Sequence, residues 1–207
     1  MVIKDRAALP DQLASTGLMA IVRASSSDAA ERMSLRLAES GVRMLEISFT
    51  TPGAAEAITR VRAALPAEVL VGAGTVVDRA DAVAAVSHGA DFLVAPGFDP
   101  EVATYALEFG LGYYPGAATA TEIVAAWRAG ATAVKVFPVG ALGLPFFRAI
   151  REPLPDIRLL AVGGIGVGDA PSFIEAGAVA VGLGGALVAA ETDLRSLIAA
   201  LAHAVKR

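Results

Sequence analysis

The chain alternates between short apolar runs and longer amphipathic segments. Five of the apolar runs come just after a glycine that follows a helix-like segment. A glycine just past a helix end adopts the left-handed cap conformation without a steric cost. Each of these glycines therefore predicts the end of a helix and the start of a strand. They are Gly41, Gly89, Gly110, Gly130 and Gly177.

Three further apolar runs, at residues 18–23, 69–75 and 159–164, bring the predicted strands to eight. All are nearly continuous in apolar residues, as parallel strands covered by helices require. We therefore predict a (β/α)8 TIM barrel as a single domain over residues 1–207, with an extra N-terminal helix over residues 5–16 that could plug the barrel floor. A doubly wound open sheet is the alternative, because alternation of strands and helices does not establish closure.

Two helix starts are readable from their capping residues. Ser26 to Asp28 supply side chains that can accept hydrogen bonds from exposed amides, and Thr119 with Glu122 has the spacing of a capping box. These signals predict where helices begin and carry no information about chemistry.

Composition narrows the class of protein. The chain has no cysteine, so disulfides, thiolate chemistry and zinc–cysteine sites are excluded. A net charge of −4 argues against nucleic acid as a partner. No apolar run reaches the ~20 residues of a membrane span, and the first residues lack the apolar stretch of a secretory signal. We expect a soluble cytoplasmic protein with neither nucleic acid nor membrane as a partner.

One lysine stands apart from the others. Lys4 and Lys206 lie near the chain ends, whereas Lys135 lies in the apolar run 133–138. A desolvated ammonium group is unfavourable unless it is paired or neutral, and the neutral amine is a nucleophile. Lys135 is therefore the first candidate for chemistry.

Strand alternation predicts which way this lysine points. Lys135 alternates with valines in the sixth predicted strand, and Met44, Glu46 and Ser48 alternate with large aliphatic residues in the second. Because large aliphatics belong against the helices, Lys135 and Glu46 should face the barrel interior from opposite strands. A buried ion pair is one interpretation. The second is catalytic: the lysine attacks a keto carbonyl to form a Schiff base, and the carboxyl group moves protons.

Anion-binding candidates lie at other strand ends. Gly163, Gly164, Gly184 and Gly185 end the last two predicted strands, where glycine lets the backbone approach a phosphate, although plain turn geometry is the alternative. Arg23 ends the first strand and could bind a carboxylate or phosphate with two hydrogen bonds, with a surface salt bridge as the alternative.

Five segments in matching order resemble the 2-keto-3-deoxy-6-phosphogluconate and 2-keto-3-deoxy-6-phosphogalactonate aldolases, class I enzymes that also cleave 4-hydroxy-2-oxoglutarate. Each segment alone is a weak signal, but five at compatible spacing between about residues 15 and 190 are specific. They are residues 45–48, 72–76, 115–122, 134–138 and 162–164.

The resemblance implies a homotrimer in which Lys135 forms the Schiff base with pyruvate or the keto acid and Glu46 is the general acid and base. It implies no cofactor. The only histidines, His88 and His203, have no ligand partner nearby in sequence, so we expect no metal site. Further implied contacts are Arg23, Thr75, Thr50, Pro96 and Phe137 for the substrate and Gly163, Gly164, Gly184 and Gly185 for its phosphate.

Some positions depart from the family pattern. Thr50 stands where some members have a phosphate-binding arginine, Val162 where gluconate-type members have threonine, and Gly185 where many have serine. Thr75, at a strand end, could also be present only for its β propensity. Val162 and Arg23 favour the galactonate type.

We therefore expect an aldehyde-lyase of Entner–Doudoroff-type carbohydrate metabolism. It would reversibly cleave a 2-keto-3-deoxy-6-phospho sugar acid to pyruvate and glyceraldehyde 3-phosphate. Three further functions stay open: 4-hydroxy-2-oxoglutarate aldolase as the main activity, a non-catalytic trimeric scaffold, and a phosphosugar isomerase or epimerase with Glu46 as its base.

Overall fold

Nine parallel strands form the sheet in the computed structural model, which describes residues 6–188 and 193–206. The strands are β1 (Leu18–Val22), β2 (Met44–Ser48), β3 (Leu70–Gly74), β4 (Phe92–Val94), β5 (Gly112–Tyr114), β6 (Gly116–Ala117), β7 (Val134–Val136), β8 (Leu159–Val162) and β9 (Ala180–Leu183). Their order is β5-β4-β3-β2-β1-β9-β8-β7-β6.

The chain itself closes this order into a ring. β5 pairs with β4 and β6 pairs with β7, and only Pro115 separates β5 from β6. Proline has no N–H to donate and interrupts a ladder, yet its carbonyl still accepts from the Lys135 N–H at 2.8 Å. Taken together, β5 and β6 are the fifth of eight barrel strands. The predicted (β/α)8 barrel is confirmed, and the open sheet is wrong.

Helices follow the strands around the barrel. They are α1 (Asp11–Thr16), α2 (Ser27–Glu39), α3 (Ala54–Ala64), α4 (Arg79–Ser87), α5 (Pro100–Glu108), α6 (Ala120–Arg128), α7 (Val139–Arg151), α8 (Ala170–Glu175), α9 (Gly185–Val188) and α10 (Leu194–Val205). None of them, within the described ranges, is long and apolar enough to cross a membrane.

The predicted ends of the helices are confirmed. All five glycines that mark a helix-to-strand join have positive φ, from 66° to 102°. Ser26 caps α2 by accepting from the Ala29 N–H, and Thr119 with Glu122 forms the capping box of α6. The joins are therefore set by local sequence.

The first helix is shorter than predicted. It begins at Asp11, because Pro10 occupies the N-cap position and the residue before a proline is disfavoured in a helix. Residue 5 of the predicted span lies outside the described residues, as does Lys4, and residues 6–10 are not helical. Leu13 of this helix is fully buried in the cluster inside the barrel, consistent with a plug of the floor.

The core has two layers, which follow from strand alternation. Leu45, Ile47 and the valines beside Lys135 belong to the cluster between the strands and the helices. Met44 and Ala133 belong to the smaller cluster inside the barrel. The predicted faces are therefore confirmed, and Glu46 and Lys135 lie on the interior side.

Candidate active site

A cavity of about 630 Å³ opens at the carboxyl ends of the strands. This is the face where loops after parallel strands converge in a barrel. All eleven residues predicted for the site line it, together with Val162. The eleven are Arg23, Glu46, Thr50, Thr75, Pro96, Lys135, Phe137, Gly163, Gly164, Gly184 and Gly185.

Lys135 is 5% exposed, and this burial is the largest influence on the pKa of its amine. Desolvation lowers the pKa of the Lys135 amine; Glu46 opposes this shift and Arg23 adds to it. Its Nζ lies 4.7 Å from the centre of the Phe137 ring. A lowered pKa leaves more of the amine neutral, the form that can attack a carbonyl carbon.

Glu46 faces the same cavity with 3% of its surface exposed. Burial raises the pKa of its carboxyl group, while the positive charges of Lys135 and Arg23 oppose the rise. Within the described residues, no salt bridge joins Glu46 to Lys135 and Glu46 Oε2 has no hydrogen-bond partner. The pair is therefore not a closed ion pair, and both groups remain available to a ligand.

A chain of polar side chains runs along the rim from β1 to β3. The Arg23 Nε donates to Thr50 Oγ1 at 3.1 Å. Thr50 Oγ1 lies 2.8 Å from Ser48 Oγ, and Ser48 Oγ lies 2.9 Å from Thr75 Oγ1. The Nε contact orients the guanidinium and leaves its two terminal nitrogens for a carboxylate or phosphate.

The glycines after β8 have a clear conformational reason. Gly163 and Gly164 have φ of 90° and 75°, and a Cβ at Gly163 would lie 2.7 Å from the Phe137 ring. Turn geometry and close approach to Phe137 therefore require glycine here, whatever ligand binds. At Gly185 a Cβ would meet nothing within 4 Å, so a small side chain would fit at this position.

Sequence reasoning missed other residues of the cavity. Ile21 and Gly182 line it because they lie on the interior side of β1 and β9, a placement that alternation could have predicted. The remaining lining residues are Pro138, Ala141, Ile165 and Ala186. Ser48 was predicted to face inward, but its contacts depend on the register between strands and had no sequence signal.

The histidines lie away from this cavity. His88 caps the end of α4, with Nδ1 2.8 Å from the Ala84 carbonyl oxygen, and His203 is exposed on α10. Over residues 6–188 and 193–206, no group of three or more His, Asp or Glu side chains is placed to hold a metal ion.

Comparison with known proteins decides the family. The sequence model of the aldolase family described as KDPG and KHG aldolase matches residues 10–199. The chain belongs to this family. The predicted resemblance and the predicted class of enzyme, an aldolase, are confirmed.

Individual relatives are also named as aldolases of this family. A 2-dehydro-3-deoxy-phosphogluconate aldolase of Treponema pallidum (strain Nichols) is 39% identical over 135 residues, which are 65% of this chain and 64% of that protein. A 2-dehydro-3-deoxy-6-phosphogalactonate aldolase of Escherichia coli (strain K12) is 34% identical over 168 residues, 81% of this chain and 82% of that protein. A solved structure described as native KDPGal has a TM-score of 0.80 at 31% identity, covering 91% of this chain and 94% of its own.

Proposed function

We propose that this aldolase reversibly cleaves a 2-keto-3-deoxy-6-phospho sugar acid to pyruvate and glyceraldehyde 3-phosphate through a Schiff base on Lys135. The observation that carries the proposal is the placement of Lys135 and Glu46 in one cavity at the carboxyl ends of the strands, both buried and without a direct ion pair among the described residues. The relatives named as gluconate-type and galactonate-type aldolases support the substrate class.

The first half of the reaction forms the Schiff base. The neutral Lys135 amine attacks the keto carbon, C2, and the resulting carbinolamine loses water as the protonated Glu46 donates a proton to the departing hydroxyl. The products of this step are an iminium cation and a Glu46 carboxylate. Their opposite charges stabilise each other in the buried site, so the step exchanges two neutral groups for an ion pair.

The second half breaks the carbon–carbon bond. The Glu46 carboxylate takes the proton of the C4 hydroxyl, the C3–C4 bond electrons flow to the iminium, and the aldehyde leaves. The enamine that remains takes a proton from Glu46 at C3. Water then adds to the iminium while the Glu46 carboxylate takes a proton from that water, and the carbinolamine releases pyruvate and the neutral Lys135 amine. Glu46 therefore ends the cycle protonated, as it began, and the balance requires no cofactor.

Substrate contacts are assigned by the groups that face the cavity. Arg23 and Thr75 supply donors for the oxygens and carboxylate of the keto acid, Thr50 contributes its side chain to the rim, and Pro96 and Phe137 form apolar walls. The backbone near the glycine pairs after β8 and β9 would hold the phosphate of the substrate.

The sugar configuration and the phosphate requirement are the finer parts of the proposal. Val162 in the cavity wall and Arg23 at the rim favour the galactonate type. The family description also includes KHG, so 4-hydroxy-2-oxoglutarate is the second candidate substrate. Rates measured side by side on the gluconate, galactonate and 4-hydroxy-2-oxoglutarate compounds, with unphosphorylated sugar acids included, separate these choices.

A scaffold or an isomerase is less well supported by this geometry. A non-catalytic scaffold does not need a lysine and a glutamate that line one cavity. An isomerase that uses Glu46 as its base does not need Lys135. The homotrimer and the cytoplasmic location stay predictions, and sedimentation analysis of the purified chain tests the first of them.

The deciding experiment is reductive trapping. Incubation with pyruvate and cyanoborohydride should add one stable adduct, located by mass spectrometry on Lys135. Lys135→Arg should give no adduct, and Lys206→Ala, a change at an exposed lysine near the chain end, should leave the yield unchanged. An unlabelled Lys135 in correctly folded protein would disprove the mechanism.

A further inference from the structure

Ser48 connects two side chains of the cavity rim without lining the cavity itself. Its Oγ lies 2.8 Å from Thr50 Oγ1 and 2.9 Å from Thr75 Oγ1, and it also accepts from the Thr50 backbone N–H at 3.4 Å. The side chain is 0% exposed. Ser48 therefore cannot touch a ligand in the cavity, although both of its hydroxyl neighbours can.

The charge of Arg23 gives this hydroxyl chain a direction. Thr50 Oγ1 accepts from the Arg23 Nε, so its oxygen faces the cation. A positive charge favours neighbouring hydroxyl dipoles whose oxygens point toward it and whose hydrogens point away. Thr50 then donates to Ser48 and Ser48 donates to Thr75. The backbone N–H of Thr50 reinforces this order, because it also uses Ser48 Oγ as an acceptor.

This direction leaves one hydroxyl hydrogen without an acceptor, at the Thr75 end of the series Thr50, Ser48 and Thr75. Thr75 accepts from Ser48, so its own O–H is free to donate to a ligand in the cavity that Thr75 lines. At the opposite end, Arg23 lines the same cavity and bonds Thr50 through Nε, which leaves its terminal nitrogens as further donors. Arg23 and Thr75, the two ends of this hydrogen-bonded series, thus present donors to one cavity, and two donors suit a carboxylate.

The backbone of Thr75 shows that its position is imposed. It has φ of 60°, the only positive φ at a non-glycine residue in the described part of the chain. This conformation is unfavourable for a residue with a side chain and persists only where the surroundings enforce it. Hydrogen bonds from the Phe49 N–H to the Gly74 carbonyl and from the Val76 N–H to the Val94 carbonyl hold the backbone on both sides. Ser48 is the group that holds the side chain.

We infer that Ser48 is a positioning residue for keto-acid recognition: by accepting from Thr50 and donating to Thr75, it aligns the Thr75 hydroxyl on the carboxylate of the keto acid, beside the Arg23 guanidinium. The inference rests on the proposed aldolase function. It assigns to Ser48 an effect on binding of the carboxylate and none on the amine of Lys135.

The test compares Ser48→Ala with the native chain in aldol synthesis. We expect KM for pyruvate to rise about tenfold with kcat changed by less than about threefold, because a hydrogen bond to a charged group is weakened before chemistry begins. Trapping of acetone on Lys135 with cyanoborohydride should proceed equally in both proteins, since acetone has no carboxylate. Ser34→Ala is the matched control: Ser34 is also 0% exposed, but it lies on α2 away from the cavity.

Action through Thr75 is tested by a double-mutant cycle. Thr75→Val should raise KM for pyruvate by itself, and adding Ser48→Ala to it should have little further effect. Ser48→Cys preserves the packing with a weaker donor and should give an intermediate KM, which covers the case in which Ser48→Ala folds poorly. Unchanged KM in both Ser48 variants, or additive effects in the cycle, would overturn the inference. Absence of any pyruvate adduct on the native chain would instead overturn the proposed function, and the inference with it.

Discussion

Gly74 leaves the space that the Glu46 side chain occupies. The two residues lie on adjacent strands, and the three atoms closest to a Cβ built at Gly74 all belong to the Glu46 side chain, with Oε1 in direct overlap. The φ of Gly74 is not in the left-handed region, so an L residue could adopt the backbone conformation. Glycine is needed at this position for close approach and for no other reason.

Gly74→Ala should therefore displace the Glu46 carboxyl group with little damage to the fold. We expect kcat for cleavage to fall by about 100-fold or more, in the range of general acid–base contributions. The pyruvate adduct on Lys135 should still form at saturating pyruvate, because a slower loss of water delays the Schiff base without removing the amine. Steady-state cleavage rates and trapping yields measure the two effects.

Gly168→Ala provides the matched control for this change. A Cβ at Gly168 would meet nothing within 4 Å, and its φ is not positive, so activity should be retained. Full activity in Gly74→Ala would show that the carboxyl group of Glu46 does not need its present position.

The amine of Lys135 should react at a lower pH than an ordinary lysine. Burial lowers its pKa from the ordinary 10.5, and the neutral amine is the reactive form. The rate of pyruvate trapping should therefore rise with pH and then level off, and the midpoint of the rise should lie below pH 10.5. Initial rates of adduct formation with cyanoborohydride, followed by mass spectrometry, give this midpoint. A midpoint at the ordinary value would contradict the proposed desolvation.

Much of this geometry was predictable from sequence because two simple periodicities control it. Alternation in strands turned Lys135 and Glu46 inward, and parallel strands bring their following loops to one end. What was not predictable depends on contacts between elements. Gly74 is required by a side chain on the neighbouring strand, and Ser48 acquires its partners only when β2 and β3 are in register. The sequence likewise does not show that the strand before Pro115, β5, pairs with β4 while the strand after it, β6, pairs with β7.

The raised pKa of Glu46 should make stability depend on pH. Between the ordinary value of 4.5 and the higher pKa in the folded protein, the folded state holds a proton that the unfolded state has lost. The free energy of unfolding therefore falls as pH rises through this window, and the contribution is fully present only below 4.5. Glutamine cannot titrate, so Glu46→Gln should become progressively more stable relative to the native chain as pH rises above 4.5.

Urea denaturation of the two proteins from about pH 4 to about pH 8 measures this difference. Glu39→Gln, an exposed position on α2, reports the effect of the same chemical change at the surface. A difference between Glu46→Gln and the native chain that shrinks with pH would mean that the carboxyl group is stabilised in its charged form.

Val162 should influence which sugar acid configuration the enzyme prefers. It ends β8, lines the cavity and packs beside Gly182, where a Cβ would lie 2.8 Å from Val162 Cγ2. Threonine has nearly the same shape and adds a hydroxyl group at the cavity wall. Because gluconate-type members have threonine here, Val162→Thr should raise the ratio of kcat/KM for the gluconate over the galactonate compound by about tenfold, the size expected of one pocket contact.

The control places the same substitution on the opposite side of the sheet. Val71 on β3 is fully buried in the cluster that faces the helices, so Val71→Thr should lower the free energy of unfolding by about 1–3 kcal/mol through its buried hydroxyl and leave the substrate ratio unchanged. Steady-state rates on both compounds and urea denaturation separate the two outcomes. An unchanged ratio of kcat/KM in folded Val162→Thr protein would mean that another part of the cavity distinguishes the two sugar configurations. Arg23, which also lines the cavity, is the next candidate.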